Sequence, residues 1–164
     1  MDRAESHLPL YGPGPAYVAT IALCTAAGIA LTVAGVVPMA RAGVAALPLR
    51  LLGGALALGG AALWYAAVFG AKIDDGIESN RLVTSGAYAI VRNPIYAAFT
   101  LVCAGAILLF GNLWLLVLLP AYWAFLTVLM RLTEERWLLD LYGQEYVDYC
   151  NRVNRCIPWF PRGR

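Results

Sequence analysis

The sequence predicts an all-α integral membrane protein, a bundle of four transmembrane helices, and three observations predict it. Mean hydropathy is +0.68, with 61% of residues hydrophobic and 13% charged, where soluble domains carry roughly 25% charged residues. The apolar residues gather into four runs, Ala16–Val37, Leu49–Ala71, Tyr96–Phe110 and Asn112–Met130. Apart from Arg50, charge is shut out of these runs and crowds the segments between and after them. A bilayer core requires about 17–25 apolar helical residues, and only the third run falls short of that.

Each element has a local reason. The first run follows an irregular lead containing Pro9, Gly12, Pro13, Gly14 and Pro15. That lead lacks the basic region and small-residue cleavage site of a signal peptide, so the run is expected to remain as an anchor. Runs one and two are rich in Gly and Ala: Gly28 and Gly35 stand a heptad apart, and Gly53, Ala57, Gly60 and Ala61 form a stripe. Small residues in such stripes let helix backbones approach closely. Gly53-Gly54 and Gly59-Gly60 lack the strand and lysine that a phosphate-binding loop needs. The third run opens at Asn93-Pro94, where asparagine suits an N-cap and proline the first turn; it gains length by tilting or by starting before Pro94. Gly111-Asn112 is the break between runs three and four, which predicts a tight helical hairpin. Helix is then expected as far as Tyr142, with Gly143 as C-cap and a second amphipathic helix from about Gln144 to Val153. There Tyr146 and Tyr149, with Leu141 and Val147, would lie over the membrane face. Trp159 and Phe160, flanked by prolines, read as interface anchors.

In a four-span topology Arg3, Lys72, Arg81, Arg92, Arg131, Arg136, Arg152, Arg155, Arg162 and Arg164 share one side, against Arg41 and Arg50 on the other. The positive-inside rule then puts both termini in the cytoplasm of a multi-pass cell-membrane protein. Every acidic residue falls on that same side, so chemistry is expected to be cytoplasmic. A net charge of +2 leaves no nucleic-acid footprint. Cys24 and Cys103 lie within runs, Cys150 and Cys156 flank a segment where thiols stay reduced, and the sole histidine, His7, lies in a tail. Neither a metal site nor a histidine-assisted nucleophile is expected.

Two polar segments stand out. Arg131-Leu-Thr-Glu134-Glu135-Arg136 follows run four directly, and at helical spacing Arg131, Glu134 and Glu135 share one face. Ionisable groups near hydrocarbon cost about 2.5–3.5 kcal/mol on insertion scales, so they tend to face a bundle interior or cavity. The alternative is a snorkelling helix end with an internal Arg131–Glu135 pair. The other segment, Asn80 to Tyr96, carries a turn at Ser85-Gly86 and places Tyr88, Arg92 and Tyr96 at i, i+4 and i+8 on the same membrane face.

The ordered set Leu82-Val-Thr-Ser-Gly86-Ala-Tyr88-Ala-Ile-Val-Arg92-Asn-Pro94-Ile-Tyr96, a hairpin, Glu134-Glu135-Arg-Trp-Leu138, Tyr142-Gly143-Gln-Glu145-Tyr146-Val-Asp-Tyr149 and Ile157-Pro158 resembles the isoprenylcysteine carboxyl methyltransferase family. That family is similar in turn to the phospholipid N-methyltransferases. The likeness covers about half the chain, Asn80 to Pro158, and implies one membrane domain over 1–164: a two-span anchor at 1–71 and a methyltransferase-like region at 80–158. It implies an S-adenosylmethionine site on the cytoplasmic side. Gly86, Tyr88, Arg92, Asn93, Pro94 and Tyr96 would form the cofactor wall and Glu134 and Glu135 would close it. Arg92, Arg131 and Glu135 would be the catalytic set, the arginines meeting an anionic acceptor.

One departure bears on chemistry: the family's Arg-His-Pro is Arg92-Asn93-Pro94 here, and Ala98 stands where a Gly often follows the Tyr. Methyl transfer from a sulfonium demands chiefly positioning in a dry site. A carboxylate acceptor is already ionised near neutral pH, so an imidazole would bind cofactor rather than move protons, and Asn93 keeps an amide N–H for that task. The function expected is O-methylation of a carboxylate on a lipophilic or lipid-modified acceptor drawn from the membrane. N-methylation of a phospholipid amine, with Glu134 or Glu135 as base, is the enzyme alternative; a non-catalytic membrane protein is the other. Trp114, Tyr122, Trp123 and Phe125 are read as packing or belt residues before acceptor wall.

Overall fold

The computed structural model describes residues 13–70 and 82–158. His7 and the proline-rich lead before Pro13, the loop residues from Lys72 to Arg81, and Trp159 and Phe160 lie outside the described residues. The described residues form helices and turns, with no strand among them: α1 Gly14–Val33, α2 Ala46–Phe69, α3 Pro94–Phe110, α4 Leu118–Leu132, α5 Glu134–Tyr142 and α6 Gln144–Arg152. Short 3-10 turns occupy Gly43–Ala45, Gly86–Ala89 and Leu113–Val117. Three helical stretches, Gly14–Val33, Gly43–Phe69 and Leu113–Tyr142, are long and apolar enough to cross a membrane, while α3 is apolar but 17 residues long. Leu23, Leu58, Val117 and Val128 point outward from these helices, as lipid-facing side chains do.

The closest packing is α2 against α3, antiparallel. Gly53 meets Gly105 and Leu108 near one end, and Gly60 meets Ala98 and Leu101 near the other. A Cβ added to Gly105 would stand 2.6 Å from the Gly53 carbonyl oxygen and 2.8 Å from the Ala57 Cβ. Lipid supplies no hydrophobic drive for helices to associate, so contact this close, made possible by absent side chains, holds the pair together by van der Waals packing. Gly28 belongs to the same kind of contact, against Leu115, but Gly35 meets nothing within 4 Å; its φ of 78° turns the chain after α1.

α1 runs parallel to α3, with Gly14 against Tyr96 and Gly28 against Leu115 at opposite ends. Polar pins tie α1 to α3 and α4: the Tyr17 hydroxyl lies 2.7 Å from Thr100 Oγ1, and Thr25 Oγ1 lies 2.9 Å from the Tyr122 hydroxyl. Tyr17, Ile21, Ile107, Leu126 and Met130 are fully buried around them. Tyr122 is thus a core residue, whereas Trp114 and Trp123 are exposed. At the end where α3 turns into α4, Gly111 takes a left-handed C-cap at φ 84°, a conformation glycine adopts without penalty. The buried Asn112 side chain accepts from the Ala40 and Trp114 N–H groups and donates to Thr32 Oγ1 and the Pro38 carbonyl. One amide thereby stitches the α1–α2 connection to the hairpin.

One expectation is corrected here. The helix after run four does not continue unbroken: Thr133, at φ −125° and ψ −94°, ends α4 and starts α5. Tyr88 sits in the Gly86–Ala89 turn, and α3 begins at Pro94 with Asn93 at the N-cap position, where the sequence places the start of the third run.

The glycine contacts predict a contrast between neighbours in sequence type. Gly105→Val is expected to lose at least about 1–3 kcal/mol through overpacking, whereas Gly59→Ala, whose added Cβ meets nothing within 4 Å, is expected to unfold like the parent. Thermal unfolding in detergent micelles, followed by circular dichroism, checks both.

Candidate active site

At the end of the bundle shared by the starts of α1 and α3 and the end of α4, the two polar segments meet. Tyr96, in the first turn of α3, donates its hydroxyl to Glu134 Oε1 at 2.5 Å. The next residue, Glu135, accepts from Arg155 at both carboxylate oxygens, with Nη2 to Oε2 at 2.8 Å, and pairs with Arg92 Nη1 at 3.2 Å. The Arg155 contact is the planar two-point fork that guanidinium and carboxylate form best, and accepting it holds the Arg155 proton more tightly than usual. These side chains are largely withdrawn from solvent, Arg92 at 9% exposed and Glu135 at 15%.

The chain after α6 clamps this arrangement from outside. The Arg92 backbone N–H donates to the Asn154 carbonyl at 2.8 Å, Asn93 Nδ2 donates to the Arg155 carbonyl at 3.0 Å, and the Tyr149 hydroxyl donates to the Tyr88 carbonyl at 2.6 Å. Arg92 Nη1 also donates to the Tyr146 hydroxyl and to Cys150 Sγ. Tyr146, Tyr149 and Val153 form a small buried cluster of their own, packed against Leu82, Leu138 and Tyr142. Burial pushes the hydroxyls of Tyr146 and Tyr149 upward. Burial first, then the charge of Glu134, pushes Tyr88 up to about 12, which keeps it a neutral donor at physiological pH.

One atom in the cluster is left without a partner: Arg92 Nε, buried, makes no hydrogen bond among the described residues. A buried donor left unmade costs about 1–3 kcal/mol, more on a charged group. A molecule carrying a carboxylate would satisfy Arg92 Nε, and one carrying cationic or hydroxyl groups would suit Glu134. The S-adenosylmethionine implied by the resemblance carries all of these, so the residues present fit it.

The other candidates are distributed unevenly. Pro94 is buried at the first position of α3, and Asn93 stands before it at the N-cap position without a capping bond, its side chain turned to Arg155 instead. Gly86 takes φ 60° in the turn that carries Tyr88. Arg131 is the exception. It is exposed at the end of α4 and has no ion pair among the described residues. The break at Thr133 interrupts the helix between Arg131 and the two acids, so the anticipated shared face does not form, nor does the Arg131–Glu135 pair of the alternative reading; Arg155 and Arg92 take Glu135. A cavity of about 150 Å³ on this side is lined by Thr84, Ala89, Tyr149, Arg152 and Val153, beside the ion cluster rather than within it. Sequence reasoning missed Arg155, Cys150 and Asn154. Asn154 had a legible signal, since its side chain accepts from the N–H groups of Cys156 and Ile157 in an Asx turn; Arg155 had none.

Comparison with known proteins gives a consistent picture. The sequence profile of the phospholipid methyltransferase family matches residues 42–145, from the start of α2 to the start of α6. Protein-S-isoprenylcysteine O-methyltransferase of Schizosaccharomyces pombe is 36% identical over 85 residues, 51% of this chain and 36% of that protein. Protein-S-isoprenylcysteine O-methyltransferase B of Arabidopsis thaliana is 30% identical over 83 residues, 50% of this chain and 42% of its own length. Methanethiol S-methyltransferase 1 of Bradyrhizobium diazoefficiens is 34% identical over 79 residues, covering 48% and 27%. The matched stretch spans less than half of each of these relatives. No solved structure matches significantly.

The ion cluster predicts unequal effects for two neutralised charges. Glu135→Gln leaves two largely buried guanidinium groups without their carboxylate and is expected to lower stability by about 3 kcal/mol. Arg131→Gln is expected to change it by less than about 0.5 kcal/mol. Thermal unfolding of both variants in one detergent provides the measurement.

Proposed function

Since the chain belongs to the phospholipid methyltransferase family, we propose that it is an integral membrane methyltransferase that uses S-adenosylmethionine to methylate a lipophilic acceptor, most simply at a carboxylate. The observation that carries the reading is the convergence of Arg92 and Tyr96 with Glu134 and Glu135 around a guanidinium donor, Arg92 Nε, that no described residue satisfies. When bound, the cofactor supplies an electrophilic methyl group on a sulfonium. Glu134, fixed by Tyr96, offers its free oxygen to the positive end of that ligand. Arg92, fixed by Glu135, offers Nε to a carboxylate. Tyr88, Tyr96, Tyr146 and Tyr149 wall the cluster off from water, which strengthens each of these contacts. No side chain here needs to move a proton if the acceptor is a carboxylate.

The membrane topology belongs to the same proposal. We read α3 as a fourth crossing despite its 17 residues, a reading supported by its close antiparallel packing against α2; a helix of about 25 Å fits a bilayer that thins or lets flanking residues snorkel. Both termini then lie in the cytoplasm with the ion cluster, and the acceptor arrives from the membrane as a lipid-modified molecule. A phospholipid amine is the second reading, favoured by the family's own description and served by Glu134 as base.

Calorimetric titration of purified protein with S-adenosylhomocysteine is expected to show one site, weakened about tenfold or more in Glu134→Gln and Arg92→Lys. Absence of binding by folded protein would end the reading. Labelled methyl transfer to membrane extracts, followed by base, separates the acceptors: esters release methanol and N-methyl groups do not.

A further inference from the structure

The opposite end of the bundle holds a second cavity, of about 130 Å³, where the start of α2 meets the turn between α3 and α4. Its lining divides into two parts. Leu49, Ile107, Leu108 and Leu116 give it an apolar floor, and Arg41 and Arg50 stand at its edge. A Cβ on Gly111 would lie 3.9 Å from both Nε and Nη2 of Arg50, so this guanidinium folds over the end of α3 at the cavity rather than away from it. Neither arginine has a carboxylate partner among the described residues, whose acids, Glu134, Glu135, Asp140, Glu145 and Asp148, all lie in α5 and α6 at the other end. The walls are held in place by Asn112, whose four bonds fix the residues on either side.

We propose that this cavity binds an anionic phospholipid, its phosphate held by Arg41 and Arg50 and the upper part of an acyl chain lying on the leucines. Charge complementarity selects the headgroup, since two unopposed guanidinium groups at a bilayer surface favour net negative charge. The apolar floor selects a lipid over a free anion, because a free phosphate gains nothing from Leu108 or Leu116. The proposal is independent of methyl transfer, which is assigned to the other end of the molecule.

The test is native mass spectrometry of the full chain in detergent, titrated with phosphatidylglycerol and, separately, phosphatidylcholine. The parent is expected to retain phosphatidylglycerol preferentially, and Arg41→Gln/Arg50→Gln to lose about tenfold of that retention. Arg136→Gln/Arg152→Gln, the same charge change at the far end, should retain it fully. Ala46→Trp, which fills the cavity and keeps both arginines, should also lose it. Equal retention of the two lipids, insensitivity to the Arg41/Arg50 change, or displacement by inorganic phosphate alone would each overturn the assignment; in the last case the site is one for a free anion.

Discussion

The grip of two arginines on Glu135 is the interaction around which the acid-rich end of this protein is organised. Arg92 comes from the segment ahead of α3, Glu135 from the first turn of α5, and Arg155 from the chain beyond α6. Without a carboxylate between them the two guanidinium groups would repel. With it, three stretches that no helix connects directly are held to one another. The acid has a further effect on its neighbour: Glu135 fixes the direction of α5, and so brings Glu134 under the Tyr96 hydroxyl. Backbone bonds from Arg92 and side-chain bonds from Asn93 and Tyr149 then add the neutral contacts that make the position unique.

Such a cluster needs a rigid frame, and the frame obeys membrane rules rather than those of a soluble core. Burial of apolar surface does not distinguish one helix pairing from another in lipid, so the pairing rests on shape and on hydrogen bonds. Shape is supplied by Gly53, Gly60 and Gly105, where α2 and α3 touch almost backbone to backbone. Hydrogen bonds are supplied by Tyr17, Thr25, Thr100 and Tyr122 within the bundle and by Asn112 at its end. The start of α3 is therefore pinned by contacts along its whole length, which is why Arg92 and Tyr96 present themselves to α5 in one orientation.

How much of this was legible depended on whether a feature was periodic. The helices were, because apolar runs and their Gly and Asn punctuation are local signals; Gly111-Asn112 and Gly143 both fell where the chain turns. The packing role of Gly53 and Gly60 followed from residue size and spacing. The meeting of Arg92 and Tyr96 with the Glu134-Glu135 pair was legible as a set of motifs. The partners of Glu135 were not, because the shared face of Arg131, Glu134 and Glu135 assumed helix through Thr133, whose φ and ψ no propensity marks. Past that break Glu135 is held by Arg155 and Arg92. Arg155 itself sits in the bend that Asn154 caps after α6, without period or motif of its own, and long-range ion pairs leave no trace in sequence spacing.

The same four long helices thus present two electrostatic environments. At one end two arginines close on Glu135 while Tyr96 holds Glu134, and one buried donor, Arg92 Nε, has no partner among the described residues. At the other end the arginines stand without acids above an apolar cavity. A matched cluster with one open hydrogen bond discriminates by geometry, since a ligand must replace bonds already made; an unmatched pair discriminates only by sign of charge. The first kind of surface suits the proposed methyl transfer, and the second suits the proposed anionic lipid. The two are 17 helical residues of α3 apart, about 25 Å, so neither set of charges reaches the other by direct contact.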